Sequence, residues 1–150
     1  SVETLGCTTV ICTDKTGTLT QNEMVVRTIW ANDTFVDVSG VGYAPTGTFE
    51  VDNVTITPTN SPELMMALNV GVLCNNAALH IPQNSITGDP TEGALLTVGA
   101  KAGLFKGALE QENPLVREIP FDSERKRMSM VRKTHDGIVL FVKGATDILL

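Results

Sequence analysis

The sequence predicts an α+β fold: a mostly antiparallel sheet with packed helices, preceded by a small piece of an α/β domain. Three observations carry this. Apolar and β-branched residues are interleaved with polar ones over Met24–Trp30, Thr34–Val38 and Phe49–Ile56, the period of strands with one buried face. Two later segments open with helix-start signals and continue into an apolar stripe. A short run, Thr8–Cys12, leads straight into a polar loop at Asp14, the place where open α/β sheets put their chemistry.

The elements can be justified in order. Thr8–Cys12 reads as a short buried strand. Beyond the first antiparallel strands, Gly40-Val41-Gly42-Tyr43-Ala44-Pro45-Thr46-Gly47 is glycine-rich but lacks the Gly-Lys-Ser/Thr ending of a phosphate loop, so it reads as a connection. Ser61-Pro62-Glu63 sets a hydroxyl N-cap before proline at the first helical position, with Leu64, Met65, Leu68, Val72 and Leu73 as the apolar stripe. A second helix opens at Asp89-Pro90-Thr91-Glu92, runs through Leu95, Leu96 and Val98, and stops near Gly103, a residue suited to the C-terminal cap. Strands follow at Leu115–Phe121, Met128–Lys133 and Ile138–Val142, with Asp136-Gly137 turning between the last two. Ile148-Leu149-Leu150 forms an apolar run with no polar cap after it, and Thr8–Cys12 has no parallel partner strand in view. The polypeptide is therefore expected to be an excerpt.

Composition narrows the function classes. With 42% hydrophobic and 19% charged residues the chain is globular, not disordered. A net charge of -6 argues against nucleic acid or an anionic membrane surface as partner. Basic residues still gather at Arg125, Lys126, Arg127, Arg132 and Lys133, which leaves room for a local anion site. Cys7, Cys12 and Cys74 form no CxxC pair, and His80 and His135, read as surface loop residues, lie far apart; buried free thiols, not a zinc site, are expected. No apolar run reaches membrane-spanning length, so this piece is expected to be soluble.

Asp14-Lys15-Thr16-Gly17-Thr18-Leu19-Thr20 is the most informative segment. A carboxylate at a strand end can attack the terminal phosphorus of ATP to form an acyl phosphate. Gly17 permits a sharp turn that aims amides at phosphate oxygens, while Lys15 and the threonine hydroxyls add charge and hydrogen bonds. An ordinary Asp-led turn would not need all seven residues. This heptapeptide resembles the signature of P-type cation-transporting ATPases, a branch of the haloacid-dehalogenase-like superfamily. The resemblance implies that Asp14 is phosphorylated and that Mg2+ is held by the Asp14 carboxylate and the Thr16 carbonyl. Related phosphatases carry a second aspartate as general acid and base where Thr16 stands; threonine serves poorly in that role, so the phosphoenzyme should hydrolyse slowly.

The resemblance extends through Asn22-Glu23-Met24, Cys74-Asn75-Asn76-Ala77, Thr87-Gly88-Asp89-Pro90-Thr91-Glu92-Gly93-Ala94-Leu95, the run Pro120 to Ser129 and Val142-Lys143-Gly144-Ala145, and is closest to bacterial calcium pumps and their relatives. It implies that residues 1–22 begin the phosphorylation domain and residues 23–150 form the nucleotide-binding domain, incomplete at its C-terminus. Phe121, by position alone either a core ring or a stacking platform, would then stack on adenine. Glu92 could close a capping box with Asp89 or bond the adenine amino group, and the resemblance favours the second. Lys126 and Lys143 would lie around the adenine and polyphosphate, Met128 near the base, and Gly144 would let nucleotide approach the backbone. Arg125 and Arg127 read as charges on a solvated strand edge. Ser123 stands where some calcium pumps have an arginine that reaches the phosphates, which should weaken phosphate contact. The expected partners are ATP, Mg2+, a transported cation in a membrane domain, and the remaining phosphorylation, actuator and membrane domains of the same chain, with no nucleic acid. The piece would be the cytosolic portion of an integral membrane protein and unable to turn over ATP alone. A soluble dehalogenase-type phosphatase is opposed by Thr16, and a non-catalytic nucleotide-binding module by the intact heptapeptide.

Overall fold

The structure, a computed structural model, describes residues 9, 10, 12, 13 and 23–150. The Asp14–Thr20 heptapeptide lies outside the described residues. Of the expected first strand, Thr9, Val10 and Cys12 are described, and they are exposed and in no β-ladder. A strand of that kind is buried only between parallel neighbours and covering helices, and no described strand supplies a neighbour. Cys12 is accordingly an exposed thiol, against expectation, while Cys74 is buried as expected.

An antiparallel meander of four strands comes first: β1 (Thr28–Ala31), β2 (Thr34–Val38), β3 (Phe49–Val51) and β4 (Val54–Ile56). The single strand expected over Phe49–Ile56 is in fact a hairpin. Asp52 and Asn53 both take positive φ, as Asn32 and Asp33 do between β1 and β2. Asx side chains tolerate that conformation, and two such residues in a row make the turn whose twist suits a hairpin. The glycine-rich segment between β2 and β3 is a connection, as expected, pinned where Lys101 Nζ donates to the Ser39 carbonyl at 2.7 Å. Val36, Val38 and Phe49 form the buried face of this sheet.

Helix α1 (Pro62–Leu73) is the axle of the molecule. Ser61 caps it, its Oγ accepting from the Leu64 amide at 3.4 Å. Leu64 and Leu68 pack on the meander, Val72 packs with Leu96 of α2 (Pro90–Lys101), and Leu73 with Cys74 meets Met128, Met130 and Phe141 of the C-terminal sheet. Helix α2 ends with Gly103 at φ 80, and the amides of Gly103 and Leu104 donate back to Ala100 and Gly99. That is the left-handed glycine cap expected from sequence. Elements not evident in the sequence include the hairpin β5 (Ala78–His80) with β6 (Ser85–Thr87), and helix α3 (Lys106–Glu112). The strands are too short for a periodic signal, and α3 has Phe105 at its N-cap with no side-chain cap. His80 is thus a strand residue, not a loop residue, its Nε2 sitting 2.9 Å from Thr87 Oγ1 across the hairpin. His135 does lie in a turn, beside Asp136.

The third sheet orders β7 (Leu115–Asp122), β8 (Arg127–Thr134) and β9 (Gly137–Gly144) antiparallel, followed by the short helix α4 (Thr146–Leu149). The β8–β9 turn residues are His135 and Asp136, since Gly137 already pairs with Thr134. Arg132, counted by sequence among residues free to bind an anion, is instead 1% exposed and committed inside the fold. Its Nε donates to the Leu73 carbonyl at 2.9 Å, Nη1 to the Asn113 carbonyl at 3.0 Å, and Nη2 to Glu110 Oε1 at 3.0 Å. One guanidinium therefore joins β8 to the ends of α1 and α3. Arg132→Ala is expected to destabilise the chain by roughly 3–5 kcal/mol, because it strands buried carbonyls and leaves a void. The neighbouring exposed Lys133→Ala should cost less than about 0.5 kcal/mol. Urea unfolding of both variants checks the contrast.

Candidate functional site

Between the first turn of α2 and the β7–β9 sheet lies a cleft of about 640 Å³ lined by Asn76, Asp89, Thr91, Glu92, Leu95, Glu118, Pro120, Phe121, Met128, Lys143 and Gly144. Its size is that of a small-molecule site. Asp89 builds one lip. Its Oδ1 accepts the amides of Thr91 at 2.8 Å and Glu92 at 3.2 Å, capping α2. Burial pulls the Asp89 carboxyl up, but the backbone amide of Glu92 with the hydroxyl and amide of Thr91 outweighs it, and the net shift is down from 3.8.

Glu92 sits one turn inside. It does not complete a capping box by reaching back, since its carboxylate points across the cleft floor. Oε2 accepts the amides of Asn76 and Ala77, each at 3.0 Å, and Oε1 is paired with Lys143 Nζ. The two side chains are 14% and 23% exposed, so the pair is largely desolvated. A carboxylate has about four acceptor positions, so Glu92 keeps capacity for a ligand donor. Beneath the pair, burial pushes the Cys74 thiol up while nearby Lys143 pulls it down; the net shift is up, and the thiol is inert at neutral pH.

Phe121 forms the opposite wall and is 64% exposed, so it is not a core residue. Met128, 3% exposed, closes the base of the cleft. Of the residues singled out in the sequence, Glu92, Phe121, Met128, Lys143 and Gly144 converge here, whereas Asp14, Lys15 and Thr16 lie outside the described residues. Lys126 does not line the cleft. It occupies the β7–β8 turn at φ 51 with its Nζ 3.4 Å from Asp147 Oδ2, both side chains exposed. Gly144 lines the cleft, but its missing side chain answers to protein, not ligand. A Cβ there would stand 2.5 Å from the Lys126 carbonyl oxygen and 2.8 Å from Arg127 Cα.

Sequence reasoning did not single out Asn76, Thr91 or Glu118 as site residues. Glu118 escapes because strand alternation would send it and Phe121 to opposite faces. The β7–β8 register shifts between Ile119 and Asp122, and that irregularity brings both into the cleft.

Residues 63–150 match the family described as P-type ATPase, cytoplasmic domain N, and every cleft residue falls within that span. The chain belongs to this family. Among curated relatives, the calcium-transporting ATPase of Bacillus subtilis is 40% identical over 153 residues, covering 100% of this chain and 17% of the relative. Cation-transporting ATPase pma1 of Synechocystis sp. is 42% identical over 158 residues, covering 100% and 17% respectively. Human calcium-transporting ATPase type 2C member 1 is 41% identical over 151 residues, covering 97% and 16%. The chain thus spans about a sixth of the length of these relatives.

The Asp89 cap gives a test of the lip. Asp89→Ala should lose about 1 kcal/mol of stability at pH 7. Because the folded carboxyl titrates below 3.8, the stabilisation is present above that value and fades as pH falls through the lower folded one. The gap between wild type and Asp89→Ala in urea unfolding should therefore close in the acid limb below 3.8.

Proposed function

We propose that the cleft receives the adenine of ATP and that the chain is the nucleotide-binding and phosphorylation-loop portion of an ATP-driven cation pump. The observation that carries this is the exposed Phe121 ring facing the Glu92–Lys143 pair across an apolar-sided cleft in domain N. A flat base can stack on Phe121, rest on Leu95 and Met128, and donate from its amino group to Glu92. Phosphates suit the cleft poorly, since three carboxylates line it with one ammonium that is already paired. They would lie outward past Gly144, where Lys126 can exchange its exposed Asp147 contact for a phosphate at little cost.

In this reading residues 1–22 begin the phosphorylation domain and residues 23–150 are the nucleotide-binding domain. The Asp14 carboxylate attacks the γ-phosphorus, the bond to ADP breaks, and an aspartyl phosphate remains. Lys15 supplies positive charge beside it. Mg2+, held by Asp14 and the Thr16 carbonyl, would offset phosphate charge when bound. The parent is a membrane-embedded pump with this portion in the cytosol, and calcium is the proposed cation because two of the relatives above are named for calcium transport. No helix among the described residues is long and apolar enough to cross a membrane.

An ATP titration of the chain followed by NMR tests the cleft. Saturable shifts centred on Phe121, Glu92 and Lys143 are expected, with affinity about 5- to 150-fold weaker in Phe121→Ala. A dispersed spectrum with no shifts at these residues would overturn the reading.

A further inference from the structure

The cleft has two walls that belong to different parts of the fold. Glu92 and Leu95 stand on helix α2, while Glu118, Pro120 and Phe121 stand on β7. Strand β7 is an edge of its sheet, bonded only to β8, and its ladder is irregular from Ile119 to Asp122, where Phe121 sits. Ladder bonds therefore do not by themselves fix how far the Phe121 wall stands from the Glu92 wall.

One side chain spans the gap. Asn76 Nδ2 donates to Glu118 Oε1 at 2.6 Å, and among the described residues this is the one hydrogen bond joining β7 itself to the helical half of the cleft. The Asn76 backbone is already anchored on that half, since its amide and that of Ala77 bond to Glu92 Oε2. The preceding residue makes the anchor rigid. Buried Asn75 donates through Nδ2 to the carbonyls of Gly71 at 3.0 Å and Glu92 at 2.9 Å, and accepts the Ala77 amide on Oδ1 at 2.9 Å. The segment is thus fixed to both helices, and the Asn76 side chain projects from it to the carboxylate on the β7 wall.

We propose that Asn76 is a positioning residue: its bond to Glu118 is a latch that sets the width of the cleft between Phe121 and Glu92. This rests on the reading of the cleft as the adenine site. Because Asn76 is exposed, its truncation leaves the core and the Glu92 amide bonds in place.

The test uses the 150-residue chain with ATP as probe, in wild type, Asn76→Ala, Glu118→Ala, Glu118→Gln and the Asn76→Ala/Glu118→Ala double variant. Loss of the latch should weaken ATP about 3- to 10-fold, the range of one hydrogen bond. The double variant should be no worse than either single one, and Glu118→Gln, which keeps an acceptor oxygen, should bind at least as well as wild type. Additive losses in the double variant, or an unchanged affinity in Asn76→Ala, overturn the proposal. Amide hydrogen exchange of the ATP-free chain gives a readout that does not need ligand. Exchange along β7 near Phe121 should quicken in Asn76→Ala while β8, β9 and α1 stay as in wild type. If wild type fails to bind ATP, the adenine reading fails, and the exchange result still decides whether the latch exists; uniform exchange across all variants removes it.

Discussion

The cleft depends on one carboxylate. Glu92 arrives on the first turn of α2 and gathers three donors from outside that helix: two amides of the segment after α1 and the ammonium of β9. A largely desolvated carboxylate persists only when its charge is paired and its oxygens are bonded. Glu92 meets both conditions, and meeting them fixes where α2, the α1–β5 connection and β9 stand relative to one another. Removing either charge would leave its partner poorly solvated, so the pair is tied to architecture as much as to any ligand.

The same economy appears at the buried end of α1. The last carbonyls of a helix have no partners within it, and an end surrounded by core must find them elsewhere. Here the Gly71 carbonyl takes Asn75 Nδ2, the Val70 carbonyl takes the Cys74 amide, and the Leu73 carbonyl takes Arg132 Nε. The third of these comes from the C-terminal sheet. A two-stranded hairpin has little independent stability, and sheets of three and four strands need something packed on their apolar face. What makes them one body is a helix with apolar contacts on several sides and a polar end that the flanking segments must satisfy.

Much of this was legible in the sequence because it was local. Ser61-Pro62 and Asp89-Pro90 start helices for reasons contained in a few residues, and alternation marks the longer strands. The site residues Glu92, Phe121, Met128, Lys143 and Gly144 were legible through resemblance, since they lie far apart along the chain and no local pattern joins them. What could not be read was anything decided by a partner. Arg132 looks like its basic neighbours until the carbonyls of Leu73 and Asn113 surround it. Gly144 looks like an opening for ligand until the Lys126 carbonyl is seen to fill that space. Glu118 joins Phe121 only because the ladder slips between them.

The charge arrangement bears on what the cleft can recognise. A free lysine would draw in any phosphate, but Lys143 is held by Glu92, with Asp89 and Glu118 adding further negative charge around it. Such a surface repels a polyphosphate from its interior and favours a flat group that donates hydrogen bonds. On the proposed reading, the nucleotide is therefore gripped at its base, and its phosphates are left outside the cleft. That polarity would suit the proposed delivery of ATP to Asp14: binding energy taken from the base would leave the γ-phosphate free to react there. A cleft that clamped the phosphates would have to release them before transfer, raising the barrier by whatever it had contributed to binding.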